Sequence, residues 1–457
     1  MISSFTEKDY VKMRKKGAKL FSQENHGKKL ELLMRKKWKK IRDFLKFPIT
    51  NIKRYQIKRL AEIVDYAYLN IPLYRKKYDQ VGYKVGSIKS FKDFEKLPIL
   101  YKEELIDGFP YDITDDINNF YNSTRSSGSS GKFVTLAVSL DAIYEDTIQG
   151  VRQYFHQSGN KYTKKDTVLM IYTCPWWIED INNKYVLKYL PTTTPVDVVT
   201  KKIKKFKPTI ISTYPTYLKG ICQNTGDLSR FGVKLIIVHS EQSTSREREA
   251  MSKKLGVPVL DEYSSEELTR IALECPYHVY HLEEDACYIE IVDPHTKQKL
   301  RRGKEGVVVG TNLLNLATPI IRYYQGDLAV VGSPCKCKCG YNGRVLKAIH
   351  GRYMDSVITP DNKIIPASAF MDIAYNWFLD YNIPVHGLRY LFVQKEKYSL
   401  CLYLIKGKYN VDIDKIRISI YSLIPKNMNL KINVCDKLPK FGGIKYRPVI
   451  NLIKDIK

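Results

Sequence analysis

Short apolar runs alternate with amphipathic stretches through most of this chain. Val134–Val138, Thr167–Tyr172, Leu235–Val238 and Gly306–Thr311 have the composition of strands. Between them, Ser139–Phe155 and Ser245–Leu255 space their apolar residues as helices do, and Ser139 is placed to cap the first. This alternation predicts an α/β fold over most of the chain. Residues 55–110 read as helices and loops, with Leu97–Leu105 a proline-bounded turn feeding a short helix.

The pattern changes near Gly351. A helix over Ala367–Tyr381 follows Pro366, Tyr390–Phe392 and Leu400–Ile405 suggest a hairpin, and a second helix over Asp412–Leu423 precedes a strand at Leu430–Val434. That is a small α+β unit of roughly 100 residues. The expected division is a basic helical extension at 1–60, a large domain at 61–350 and a small domain at 351–457. No internal repeat is evident.

A chain of 457 residues with 44% hydrophobic and 27% charged content is expected to be a globular protein with room for a large core. No apolar run approaches the roughly 20 residues needed to span a bilayer, and the first residues lack an apolar signal core. The expected location is cytoplasmic, with the nine cysteines reduced. The net charge of +27 fits nucleic acid, an anionic membrane, an acidic substrate, or simply lysine-rich solvated faces. Its densest part is Lys8–Lys58, where Lys and Arg interleave with Leu, Phe and Trp38. Those segments read as basic amphipathic helices that could meet a membrane face or an acidic partner, or as ordinary surface helices.

One segment departs from the bulky, basic norm: Ser126-Ser127-Gly128-Ser129-Ser130-Gly131-Lys132. Small residues let successive N–H groups face one anion, and a terminal lysine adds a mobile positive charge, so the run suits a polyphosphate. A flexible Gly/Ser linker has the same composition. The run lacks the glycine spacing of a Walker loop.

Further segments follow in order: Tyr214-Pro215-Thr216; His239-Ser240-Glu241; Tyr263-Ser264-Ser265-Glu266-Glu267; Arg322-Tyr323-Tyr324-Gln325-Gly326-Asp327; Gly351-Arg352-Tyr353-Met354-Asp355; and Gly443-Ile444-Lys445-Tyr446-Arg447. Together with Tyr66–Arg75 and Leu97–Glu104, this ordered set resembles the adenylate-forming superfamily over about residues 60–450. The nearest branch resembles phenylacetate–CoA ligase and the CapK-type proteins of capsular polysaccharide biosynthesis.

The resemblance implies a large adenylation domain of several subdomains and a small mobile C-terminal lid. It implies activation of a carboxylate with ATP and Mg²⁺, then transfer of the acyl group to coenzyme A, an amine or a hydroxyl, with surface polysaccharide biosynthesis as a setting. By the same resemblance Ser126–Lys132 hold the β- and γ-phosphates and Glu267 binds Mg²⁺. Tyr263 lies at the nucleotide, Asp327 accepts the ribose hydroxyls and Arg352 contacts the ribose side. Lys445 bridges carboxylate and α-phosphate, and Asp355 is the hinge. Tyr214, Pro215, His239, Ser240 and Ser264 are substrate-pocket candidates by position.

Two departures stand out. Ser264 and Glu266 replace the glycine and the hydroxyl residue of the usual Tyr-Gly-x-Thr/Ser-Glu motif, which leaves the choice between Glu266 and Glu267 for magnesium open. Ile444 stands where a glycine often precedes the lysine. The competing function is a nucleic-acid or membrane-surface binding protein on a degenerate ligase fold, supported by the charge.

Cys335-Lys336-Cys337-Lys338-Cys339 is dense in thiols, and thiols rarely cluster without a use. The same branch often pairs Cys-x-Cys-Gly with Cys-x5-His. That implies a structural Zn²⁺ on Cys275, His281, Cys337 and Cys339, with Cys335 a spare. Free thiols or redox chemistry are the alternatives.

Overall fold

The computed structural model of the protein describes residues 7–23, 25–115, 122–125, 133–441 and 445–453. The Ser126–Lys132 segment lies outside them. At the centre is an eleven-stranded sheet. Val186–Pro191, Thr167–Tyr172, Ile210–Thr213, Leu235–His239 and Val259–Ser265 lie side by side and parallel. Successive strand residues point to opposite faces. Leu235 and Ile237 pack with Ile143 and Ile148 of helix Leu140–Gln157 on one face. Ile236 and Val238 pack with Val199, Leu218 and Met251 on the other. Burial on both faces is why these strands read as unbroken apolar runs.

The remaining six strands run antiparallel, in the order Thr269–Glu274, Tyr280–Leu282, Val345–Arg352, Tyr323–Val331, Glu305–Asn312 and Cys287–Val292. The change of direction falls at the turn between Val259–Ser265 and Thr269–Glu274, where the register shifts at Tyr263/Ser264 and Thr269 takes a positive φ of 59°. Glu266 and Glu267 occupy this turn. It lies at the carboxyl ends of the parallel strands, where open α/β sheets gather ligands.

After Arg352 the chain forms a four-stranded sheet in the order Asn429–Val434, Ser399–Ile405, Arg389–Glu396, Val449–Asn451, with helices Ala367–Asp380 and Ile413–Tyr421. Phe370, Trp377 and Phe392 share one apolar cluster with Val199, Leu218 and Met251. Trp377 is almost fully buried, and its Nε1 donates to Ser419 Oγ at 2.8 Å. Trp377→Ala is expected to cost about 3–5 kcal/mol, since it opens a large cavity and takes away the donor to Ser419 Oγ. Chemical denaturation checks this; a change below about 1 kcal/mol would mean the site collapses freely.

The basic N-terminal segment folds into helices Glu7–Ser22, His26–Asp43 and Ile49–Asn70. The second and third bury apolar residues against the body of the protein: Leu30, Met34 and Ile41 pack with Ile143, and Leu60 and Val64 pack with Leu97 and Ile320. Among the described residues no helix is long and apolar enough to cross a membrane.

Candidate active site

Four of the residues singled out in the sequence gather: Asp327 and Arg352 on neighbouring strands, Tyr263 on strand Val259–Ser265, and Glu267 in the turn that follows it. Asp327 and Arg352 are direct cross-strand partners, with Arg352 Nε 3.6 Å from Asp327 Oδ1. Tyr263 Oη donates to Asp327 Oδ2 at 2.6 Å. Glu267 is buried, and its Oε1 accepts from Tyr323 Oη at 3.3 Å. Burial works against the charge on Arg352, yet Asp327 and Glu267 hold its pKa above the ordinary arginine value. Tyr263 is pushed well above the usual tyrosine range by burial and by Asp327.

Lys445 arrives from the far end of the chain and lines the same two cavities as Glu266. Burial draws the lysine below its ordinary pKa, while the carboxylate of Glu266 opposes that shift. Glu266 is fixed by two hydroxyls: Thr124 Oγ1 donates to Oε2, and Tyr172 Oη donates to Oε1 at 3.3 Å. Burial raises its pKa, Thr124 works the other way, and neighbouring Glu267 adds to the rise. Of the two adjacent carboxylates, Glu266 is the one that lines the cavities.

Two cavities meet here. The inner one, about 170 Å³, is lined by His239, Ser240, Ser264, Glu266 and Lys445 at one end and by apolar residues such as Ile178 and Leu187. It also holds a polar cluster that the sequence reading missed. Arg270 pairs with Asp146 and donates to Gln153, and Gln153 donates to Glu262 at 2.6 Å. His239, below its ordinary pKa through burial, bonds Ser240 Oγ at 2.9 Å. The outer cavity, about 1150 Å³, shares Thr124, Tyr172, Trp176, Glu266 and Lys445 with the inner one. Tyr214 lines the outer cavity and stacks on Tyr172, with centroids 5.4 Å apart. Pro215 starts helix Pro215–Asn224 and lines neither cavity.

The position of Lys445 is held by its two successors. Tyr446 N donates to Glu241 Oε1 at 3.2 Å, and Tyr446 Oη donates to the Tyr390 carbonyl. Arg447 forms a two-pronged pair with buried Asp355, one bond being Nε to Oδ2 at 3.0 Å. Gly351, at φ +89°, lies against Gln242, and a Cβ there would come within 2.4 Å of its Oε1. Only glycine takes that backbone conformation within the strand without strain.

Cys275, His281, Cys337 and Cys339 converge, with all four ligand atoms within 4.8 Å of one another. Cys275 Sγ lies 3.9 Å from Cys337 Sγ, and Cys339 Sγ lies 3.2 Å from His281 Nε2. Two thiolates on a tetrahedral zinc stand about 3.8 Å apart, so donor type and spacing fit that ion. Cys335 is outside the group.

No family model matches the chain. It is 24% identical over 423 residues to the phenylacetate–coenzyme A ligase of Escherichia coli (strain K12), covering 86% of this chain and 94% of that protein. It is 28% identical over 337 residues to the phenylacetate–coenzyme A ligase of Aromatoleum evansii, covering 69% and 73%. Among solved structures it is similar to 2-hydroxyisobutyryl-CoA ligase in the postadenylation state with 2-HIB-AMP, at a TM-score of 0.74, 18% identity, and 89% and 90% coverage. Against the same ligase with 2-HIB-AMP and CoA in the thioesterification state the TM-score is 0.60. Sheet topology and likeness over most of the chain together support the adenylate-forming superfamily and, within it, a phenylacetate–CoA ligase-like branch.

Proposed function

We propose that the chain is an AMP-forming acid–thiol ligase that activates a carboxylate with ATP and passes the acyl group to coenzyme A. The observation that carries this reading is that Lys445 and Glu266 both line the two cavities where these join, within electrostatic reach of Arg352 of the Tyr263–Asp327–Arg352 group. A carboxylate and a triphosphate repel each other, so adenylation needs fixed positive charge where negative charge accumulates. Lys445 supplies it between the acid and the α-phosphate. Asp327, oriented by Tyr263 and Arg352, suits two ribose hydroxyls because a carboxylate has two acceptor oxygens. Glu267, with Tyr323 fixing one oxygen, is our magnesium-binding carboxylate; the ion would neutralise phosphate oxygens. The inner cavity takes the acid's body. The segment after Gly351 acts as the hinge on which the small C-terminal unit turns between half-reactions, with the Arg447–Asp355 pair securing the present arrangement.

Zinc at the Cys275–His281–Cys337–Cys339 cluster has a structural role in this reading. It clamps the strand after Glu267 to the loop that follows the Asp327 strand.

Labelled pyrophosphate exchange into ATP tests the function, with phenylacetate, 2-hydroxyisobutyrate and o-succinylbenzoate as trial acids. Acid-dependent exchange is expected. No exchange with any carboxylate in a broad panel, alongside steeply salt-dependent DNA binding, would instead favour the nucleic-acid reading. The pH profile offers a separate check. Only the ammonium form of Lys445 can bridge two anions, and burial lowers its pKa. Exchange should therefore begin to fall on the alkaline side before pH 10.5, the ordinary lysine value. A rate that stays level to that pH would contradict the role.

A further inference from the structure

Three reactants must reach one point in such a ligase. The ribose has the Tyr263–Asp327–Arg352 side and the acid has the inner cavity, while the outer cavity opens from the junction at Lys445 and offers the acceptor its approach. We propose that the outer cavity is the acceptor's chamber, that the N-terminal helix Glu7–Ser22 forms its outer wall, and that Arg14 and Lys15 bind the phosphates of coenzyme A. This rests on the ligase reading above and adds a recognition site to it.

The wall comes from one helical face. Tyr10, Val11, Arg14, Lys15, Ala18 and Phe21 all line the cavity, at the spacing of neighbouring turns. Tyr10 anchors the helix, since its Oη lies 3.1 Å from Ser123 Oγ and its ring sits 4.0 Å from the Arg125 guanidinium carbon. The chamber has a graded character. At the inner end, Glu266 and Glu241 are already engaged: Glu266 by Thr124 and Tyr172, Glu241 by Thr216 and Tyr446. The passage is walled by aromatic rings, including Trp176, Tyr217 and Phe133. Arg14 and Lys15 are exposed, and neither has a hydrogen bond or ion pair among the described residues.

An uncharged arm in an aromatic passage, with an anionic head on a cationic wall, matches a thiol carried on a phosphorylated group. At the junction the thiol sulfur bonds to the acyl carbon. The bond from that carbon to the phosphate oxygen of AMP breaks, AMP leaves with the electron pair, and the thiol proton passes to water. The first helix of the chain's densest basic segment thus turns one face toward a cofactor.

Calorimetric titration of the full-length protein with coenzyme A, and separately with pantetheine, tests the assignment without needing turnover. The R14A/K15A variant is expected to bind coenzyme A about tenfold more weakly and pantetheine unchanged. The K12A/K16A variant removes the same charge from exposed positions of the same helix that do not line the cavity, and it is expected to bind both as wild type does. Circular dichroism of each variant confirms that the helix persists. Equal coenzyme A affinity in R14A/K15A would overturn the proposal. So would an equal loss in K12A/K16A, or the absence of coenzyme A binding by the wild type. Pyrophosphate exchange on the same preparations judges the ligase reading separately: without exchange that reading falls, while the titration still decides whether Arg14 and Lys15 hold phosphate.

Discussion

Replacing Lys445 with alanine is expected to slow pyrophosphate exchange by about 10²-fold or more, as removal of one donor aimed at developing charge does elsewhere. The size of the effect follows from how the residue is presented. Tyr446 is tied to Glu241 and Tyr390, and Arg447 to Asp355, so the backbone that follows residue 445 is anchored at two successive residues. The ammonium therefore arrives with little reorganisation, which is the condition under which a fixed charge contributes most. Alanine leaves those anchors intact, so the melting temperature should stay within about 2 °C of wild type. Exchange at the wild-type rate would remove Lys445 from the mechanism. A large fall in melting temperature would assign it a structural role instead.

Loss of the Cys/His cluster should be the largest stability effect. Cys337→Ser is expected to abolish binding of one zinc per chain and to lower the melting temperature by about 5 °C or more. The reason is linkage: an ion that binds the folded chain and not the unfolded one adds its binding free energy to stability. Structural zinc binds with apparent energies of about 10–16 kcal/mol in small domains, comparable to the whole stability of a typical fold. The damage should also spread. The loop carrying Cys337 and Cys339 includes Asn342, whose N and Nδ2 donate to the carbonyls of Leu45 and Lys46 at 2.8 and 2.6 Å. Releasing that loop frees the turn that seats the N-terminal helices. Metal analysis and thermal unfolding of protein purified without chelator check both parts. A zinc content near zero in the wild type would refute the site.

Some of this architecture can be read directly along the chain. Thr167–Tyr172 and Leu235–His239 announce themselves because both of their faces are buried, which forces a continuous apolar run. Ser139 caps its helix as expected, accepting from Ala142 N at 3.2 Å. Cys287–Val292 and Thr269–Glu274 are harder to see. Glu290 and Arg270 interrupt them, and only pairing with Arg322 and Asp146 makes those charges tolerable in the interior. Tyr323–Val331 was noticed for its Asp327 motif and not as a strand, because Gln325, Gly326 and Asp327 break its apolar pattern.

The candidate site divides in the same way. Asp327, Arg352, Glu267 and Lys445 were legible because residue type and order carry chemistry even at a distance. Thr124, Tyr172, Arg270 and the wall of helix Glu7–Ser22 were not, since nothing in their neighbours marks them. They matter only through what the fold sets opposite them.

What the chain alone determined is the α/β class, the order of its motifs and the chemical types able to grip a nucleotide and a metal. These follow from periodicity and from side-chain chemistry, which are local properties. Tertiary structure decided that Glu266 faces both cavities, that Arg447 holds Asp355, and that a basic N-terminal helix closes a chamber next to Lys445. Each of these depends on residues more than 90 positions apart meeting across the sheet, and no local pattern encodes such a meeting.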